Sequence, residues 1–234
     1  MNILAFDTCL GAVSAAVRRR GAQGDQVAAH AREIRERGHA ERLMPMIAEV
    51  MATAGLGFAD LDRIAVTVGP GTFTGVRVGV SAARGLALAS GAEVVTASSL
   101  AVMARQAADE LGTRFGDRTL AVAVDARRGS IYLQLFADLD QPAGPAQLLD
   151  AADAARQLAS RPLLIVGSGA GLLADGLAGV GIRAEVRFAD LEPDARALAR
   201  LAVDLAPVVS VEPLYLRAPD VKPQRDRVLE RAPE

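Results

Sequence analysis

Ile3-Leu4-Ala5-Phe6-Asp7, followed four residues later by Gly11 and the alternating run Val13-Ser14-Ala15-Ala16-Val17, reads as strand, turn, strand. The same syntax returns at Leu120-Ala121-Val122-Ala123-Val124-Asp125, with Gly129 again four residues beyond the aspartate and Ile131-Tyr132-Leu133-Gln134-Leu135-Phe136 as the second strand. Each opening leads to a further shared unit: Ile64-Ala65-Val66-Thr67-Val68 runs into Gly69-Pro70-Gly71, and Leu164-Ile165-Val166 runs into Gly167-Ser168-Gly169. Strand, G-x-G loop and helix thus occur twice. Paired aspartate hairpins and paired glycine loops in one order predict an internal duplication, hence an α/β chain of two lobes, each a mixed sheet flanked by helices.

Working outward, Val27 to Glu33 reads as a further strand, reached through the polar turn Arg20 to Asp25. Apolar residues at Leu43, Met46, Ile47, Val50 and Ala54 have the spacing of a helix face over 40–54. A second helix is expected from about Val76 to Ala89, a short one over 151–159, and another from Pro193 to Leu205, opened by a proline at a favoured starting position. The lobes are expected at 1–100 and 101–216, with the last helix of the second packing back towards the first. Residues 217–234 carry alternating charges and three prolines and are expected to form a loose tail.

With 234 residues, 51% apolar and 23% charged, the chain can bury one large core or two modest ones. A net charge of −2 supplies no global field to attract nucleic acid, so an RNA role would lean on a partner. The single cysteine, Cys9, excludes an internal disulfide and fits a reducing cytoplasm. The first residues lack the basic lead of a signal sequence, and Arg77 and Arg84 interrupt the small-residue stretch after Gly75, so no membrane span is expected.

The segment Gly69-Pro70-Gly71-Thr72-Phe73-Thr74-Gly75-Val76-Arg77 follows a strand and opens a helix. Its backbone N–H groups could line an anion pocket; equally, a tight strand-to-helix turn needs glycine. It is neither a dinucleotide fingerprint nor a nucleoside-triphosphate loop, because the third glycine falls one place late and no Gly-Lys-Ser/Thr is present. The whole string resembles the signature of the TsaB family almost position for position. Other pieces match in order: Ile3 to Asp7 with Thr8; His39, Glu41, Leu43, Pro45 and Met46; Val124-Asp125-Ala126-Arg127; and Pro213-Leu214-Tyr215-Leu216-Arg217.

The resemblance implies two tandem actin-like (ribonuclease-H-like, ASKHA) lobes. It also implies a cytoplasmic, accessory subunit that binds the larger paralogue TsaD and helps recruit the ATPase TsaE. That complex moves threonylcarbamoyl from threonylcarbamoyl-AMP to adenosine-37 of tRNAs reading ANN codons. Implied too are a homodimer when the chain is alone, tRNA contact only through the complex, and no intrinsic cofactor, with ATP or ADP entering only in the assembled complex. The alternative from a different class is an actin-like ATPase or phosphotransferase acting alone.

TsaD follows its glycine loop with a helix bearing two metal-binding histidines four residues apart. By analogy those places here are Ser99 and Met103, neither of which replaces imidazole on a divalent ion, so no metal site and no catalytic residue is assigned. Cys9 with His39 is the one conceivable nucleophile pair, set against a plain buried thiol and a helix-starting histidine. Asp7 and Asp125, with Thr8, Gly69, Gly71, Thr72, Thr74 and Gly75, could be the remnant of a phosphate cleft; the simpler reading of both aspartates is turn stabilisation. The Arg127-Arg128 pair reads as a phosphate contact or as a solvated hairpin turn. Met44 and Met51 fall off the apolar stripe of the first helix, and the second helix carries small residues at helical spacing. Together with the resemblance, this marks His39, Leu43, Met44, Ile47, Met51, Val76, Gly79, Val80 and Ala83 as the expected partner interface.

Overall fold

The computed structural model describes residues 1–21, 24–112, 118–138 and 141–217. From residue 218 onward the expected loose tail lies outside the described residues. The first sheet is built from β1 (Asn2–Asp7), β2 (Ala12–Gly21), β3 (Gly24–Ile34), β4 (Arg63–Thr67) and β5 (Glu93–Ala97) in the order β3-β2-β1-β4-β5. β1, β4 and β5 run parallel, and β2 is antiparallel to both its neighbours. α1 (His39–Ala54) joins β3 to β4, α2 (Phe73–Ser90) joins β4 to β5, and α3 (Ser99–Leu111) leads into the second lobe.

The second sheet repeats the plan. β6 (Thr119–Asp125), β7 (Ser130–Asp138), β8 (Gln141–Pro142), β9 (Gln147–Asp150), β10 (Leu163–Val166) and β11 (Glu185–Val186) follow, with α4 (Ala151–Leu158) and α5 (Ala170–Gly179) on the connections. The order β9-β7-β6-β10-β11 matches that of the first sheet strand for strand, and β8 is an added short pairing on β7. The duplication read from the two aspartate hairpins is therefore present in the topology.

β1 is apolar on both faces because both are covered, as in other parallel-sheet strands. Leu4 and Phe6 point into a core shared with Leu43, Ile47 and Val50 of α1 and Val76, Val80 and Ala83 of α2. Ile3 and Ala5 point the other way, onto α6 (Ala195–Leu201) through Ala195, Leu198 and Ala199. In the second lobe, α4 and α5 cover one sheet face. α3 covers the other, with Leu100, Met103 and Ala107 against Leu120, Val122 and Val124. The lobes thus exchange closing helices: α3 leaves the first to cover the second, and α6 leaves the second to cover the first. A boundary at residue 100 passes through α3, whose Val102 still belongs to the first lobe's core.

α6 is shorter than the helix expected from Pro193 to Leu205. Asp194, not the proline, caps it, accepting from the Arg196 N–H at 2.8 Å. At the other end the Arg63 guanidinium takes up the carbonyls of Ala202, Val203 and Leu205 at 2.9 to 3.2 Å, satisfying acceptors that the helix cannot. Beyond α6 the chain returns over the first lobe: Val208 N–H donates to Val94, the Arg84 guanidinium donates to the Val211 carbonyl, and Leu214 N–H donates to Val68 at 2.6 Å. The segment ends at Arg217, which donates to the Ala126 carbonyl of the second lobe at 2.8 Å.

Candidate functional site

Between the lobes lies a cleft of about 540 Å³. Gly11, Arg37, Gly71 and Thr72 line it from the first lobe, Asp125 and Ser168 from the second, and Glu192 from the segment before α6. The two aspartates that look equivalent in sequence occupy different environments here. Asp125 remains partly exposed, accepting from the Arg127 N–H at 2.7 Å, and its own N–H donates to Ser168 Oγ at 3.1 Å. Arg127, Arg128 and Gly129 have φ of 68°, 56° and 76°, so the arginine pair forms the left-handed turn between β6 and β7.

Asp7 is fully buried. Its Oδ1 accepts from the Thr67 hydroxyl and from the Cys9 N–H at 3.3 Å, and Oδ2 has no partner among the described residues. Burial pushes its pKa from 3.8 up to about 7, overriding the lowering by these hydrogen bonds. Cys9 is equally buried, its Sγ 3.3 Å from Thr67 Oγ1, and burial pushes the thiol well above its usual range. His39 Nε2 lies 2.9 Å from the Leu10 carbonyl; because a carbonyl only accepts, that nitrogen carries the proton. Cys9 and His39 thus have separate partners and form no nucleophile pair.

The glycine loop is closed by packing. A Cβ on Gly71 would stand 2.2 Å from the Cys9 carbonyl oxygen, one on Gly75 2.0 Å from the Thr8 carbonyl oxygen, and one on Gly69 2.7 Å from that of Leu214. Thr72 N–H donates to Cys9 at 2.8 Å, and the Thr8 hydroxyl donates to Gly75 at 2.7 Å. These glycines admit the β1–β2 turn and the returning C-terminal segment, and the turn fills the space in front of Asp7. Of the residues expected in a phosphate cleft, Gly71, Thr72 and Asp125 line the open cleft. Asp7, Thr8, Gly69 and Gly75 are buried behind it, and Thr74 is exposed on the first turn of α2.

Ser99 and Met103, the two positions that the resemblance matched by analogy to a histidine pair, are both fully buried. The Ser99 hydroxyl donates to the Pro70 carbonyl at 2.6 Å, tying α3 to the glycine loop. Met103 fills the second lobe's core, its Cε 2.9 Å from where a Cβ on Gly167 would be. No group of three His, Cys, Asp or Glu side chains converges among the described residues.

The interface expected on α1 and α2 is corrected by burial. Leu43, Ile47, Met51, Val76, Gly79, Val80 and Ala83 pack into the first lobe's own core, and His39 is also buried. Met44 alone of that set is exposed, at 44%. The outward-facing residues of the two helices include Met44 on α1, already singled out as lying off the apolar stripe, and Phe73, Arg77 and Leu88 on α2, which periodicity did not single out. Phe73 lies between Tyr215, with ring centroids 5.3 Å apart, and the Arg77 guanidinium, 5.0 Å from its ring. The signal for this ladder was in the sequence, in the two signature pieces that contain Phe73 and Tyr215. Among the described residues no helix is long and apolar enough to cross a membrane.

Two duplicated lobes with exchanged closing helices and a cleft at their junction define an actin-like protein. The family model for TsaD, tRNA N6-adenosine threonylcarbamoyltransferase, matches residues 29–159. The tRNA threonylcarbamoyladenosine biosynthesis protein TsaB of Haemophilus influenzae is 40% identical over 132 residues, and that of Escherichia coli 39%. These alignments take in 56% of this chain and about half of each relative, 52% and 53%. An uncharacterized protein of Mycobacterium tuberculosis is 35% identical across 95% of this chain and 94% of its own. Among solved structures, YeaZ from Pseudomonas aeruginosa superposes with a TM-score of 0.74 at 28% identity, over 92% of this chain and 99% of that one. The chain belongs to the TsaD family, on its TsaB branch.

Proposed function

We propose that the chain is a non-catalytic subunit of the machinery that places threonylcarbamoyl on adenosine-37 of tRNA. In this reading it binds a TsaD-type transferase and helps recruit a TsaE-type ATPase in the cytoplasm. The observation that carries this reading is the pairing of family membership with the state of α3. The positions that the resemblance matches to the transferase's two metal-binding histidines are held here by a buried serine bonded to Pro70 and a buried core methionine. Two relatives are named as biosynthesis proteins for this modified nucleoside, and two others, over shorter stretches, as the threonylcarbamoyltransferase itself. The exposed Met44, Phe73 and Leu88 on the outer side of α1 and α2 offer the transferase an apolar surface.

The interlobe cleft, with Thr72, Asp125 and Ser168 on its walls, favours a second reading as an actin-like ATPase acting alone. One experiment separates them: transfer to unmodified tRNA by the cognate transferase and ATPase, with and without this protein, alongside ATP turnover by the protein alone. Transfer that requires an otherwise inert chain, with co-elution of chain and transferase, supports the subunit reading. Transfer that proceeds equally without it, together with ATP turnover by the isolated chain, selects the other.

A further inference from the structure

On the side of the first sheet away from α1 and α2, the ends of β2 and β3 meet α3 and α6 around a second pocket of about 530 Å³. Arg18 and Arg20 from β2, Arg105 from α3 and Arg200 from α6 line it. Their carboxylates are shared. Asp25 takes both fork bonds of Arg18, at 2.7 and 2.6 Å, and leaves Arg20 at 3.9 Å, beyond hydrogen-bonding distance. Asp109 accepts from Arg105 at 3.0 Å and from Arg200. With Asp204 on the wall, four guanidiniums face three carboxylates, in a chain whose overall charge is −2. Each guanidinium has five N–H donors in a rigid plane, so these carboxylates hold Arg18 and Arg200 in position while Arg20 stays beyond hydrogen-bonding distance of Asp25.

We infer that this pocket receives the phosphodiester backbone of RNA, an inference that rests on the function proposed above. Planar guanidinium forks from three separate elements suit phosphate oxygens. Among the described residues the pocket's lining is guanidinium, carboxylate, amide and valine, groups that meet a backbone rather than stack on bases. The contact positions the RNA without reading its sequence.

The test uses the assembled complex of this chain with its transferase and ATPase. Binding of unmodified tRNA is followed by fluorescence anisotropy at several salt concentrations. Arg20→Ala/Arg200→Ala should raise the tRNA Kd roughly tenfold at 0.1 M salt and flatten the log Kd against log salt slope by about 1 to 2, at roughly 0.7–0.9 per phosphate contact. The KM for tRNA should rise with kcat unchanged, and Arg20→Lys should keep most of the affinity. Arg20 is 54% exposed and its contact with Asp25 is 3.9 Å, beyond hydrogen-bonding distance, so Arg20→Glu alone should leave the melting temperature in place while weakening binding. An unchanged Kd and salt slope in these variants, in a complex that assembles and needs the chain for transfer, overturns the pocket's role. If wild-type chain adds nothing to transfer, the functional reading itself falls, and this inference with it.

Discussion

Replacing Asp7 by asparagine removes a charge while keeping its shape. Both oxygens of Asp7 are buried, one accepting from Thr67 and Cys9 and the other unpartnered. The unfolded chain releases this proton near pH 3.8, and the folded protein, because of burial, only near pH 7. Between those values the native state holds more protons than the unfolded one, so stability falls as pH rises through the window and levels off above about 7. At about 1.4 kcal/mol per tenfold change in a protonation equilibrium, the full cost is about 4 kcal/mol, of which roughly a third is already incurred at pH 5. The asparagine variant escapes this cost, while every other group titrates in both proteins and cancels. Its unfolding free energy relative to wild type should therefore gain about 3 kcal/mol between pH 5 and pH 8, read as about 1 M in the urea midpoint. Urea titrations followed by circular dichroism at pH 5, 6, 7 and 8 measure this directly. A difference that stays constant over the range would mean that Asp7 ionises in the fold as it does in water, and the account of its burial would be wrong.

Other substitutions probe the loop, the helix surface and the helix exchange. Gly75→Ala should cost about 3 kcal/mol, or about 8 °C in melting temperature, because its Cβ would meet a backbone carbonyl at 2.0 Å. Gly85→Ala, in the same helix with nothing within 4 Å, should instead stabilise by about 0.5–1 kcal/mol; scanning calorimetry of both checks the contrast. Met44→Asp should leave the melting temperature within about 2 °C and weaken association with the transferase severalfold by sedimentation. Met51→Asp, whose side chain is buried in the core, should unfold the lobe instead. Burial would raise the pKa of Asp194, but His30, 3.2 Å away, and Arg196 override it and hold the carboxyl well below its usual range. Asp194→Asn should thus cost about 2 kcal/mol at pH 7, and wild type should lose that advantage as pH falls below about 3.8, which denaturation at pH 7 and pH 3 would show.

The duplicated fold was legible because its marks are local: an apolar strand ending in aspartate, a glycine four residues on, a G-x-G turn. Each is imposed by backbone geometry that neighbouring residues must satisfy. The first and second helices were legible for the same reason, running from His39 and Phe73 rather than from residues 40 and 76. What periodicity could not resolve is which of several apolar faces turns inward when a helix is apolar nearly all round. Met51 looked displaced from the stripe, yet α1 sits low enough between sheet and α2 to bury it. The two aspartates have identical local syntax, yet in the first lobe Thr72 and Gly71 pack onto the Cys9 carbonyl and Asp7 is buried, whereas Asp125 faces the open cleft. β8 and β9, two and four residues long, are too short for alternation to register. The arginine pocket draws its four side chains from positions 18, 20, 105 and 200, a juxtaposition that exists only once α6 has crossed over.

That crossing also dictates the order in which the molecule can be completed. While the chain is being synthesised, the face of the first sheet formed by Ile3, Ala5 and Ala16 lacks most of its cover until α6 emerges, nearly two hundred residues later. A nascent first lobe would therefore present a bare apolar surface for most of translation, a natural client for a chaperone. The same reciprocity makes the chain divisible: fragments divided between α3 and β6 each lack one closing helix and hold the one the other needs. Co-expressed, such halves should fold only together, as a self-selecting pair.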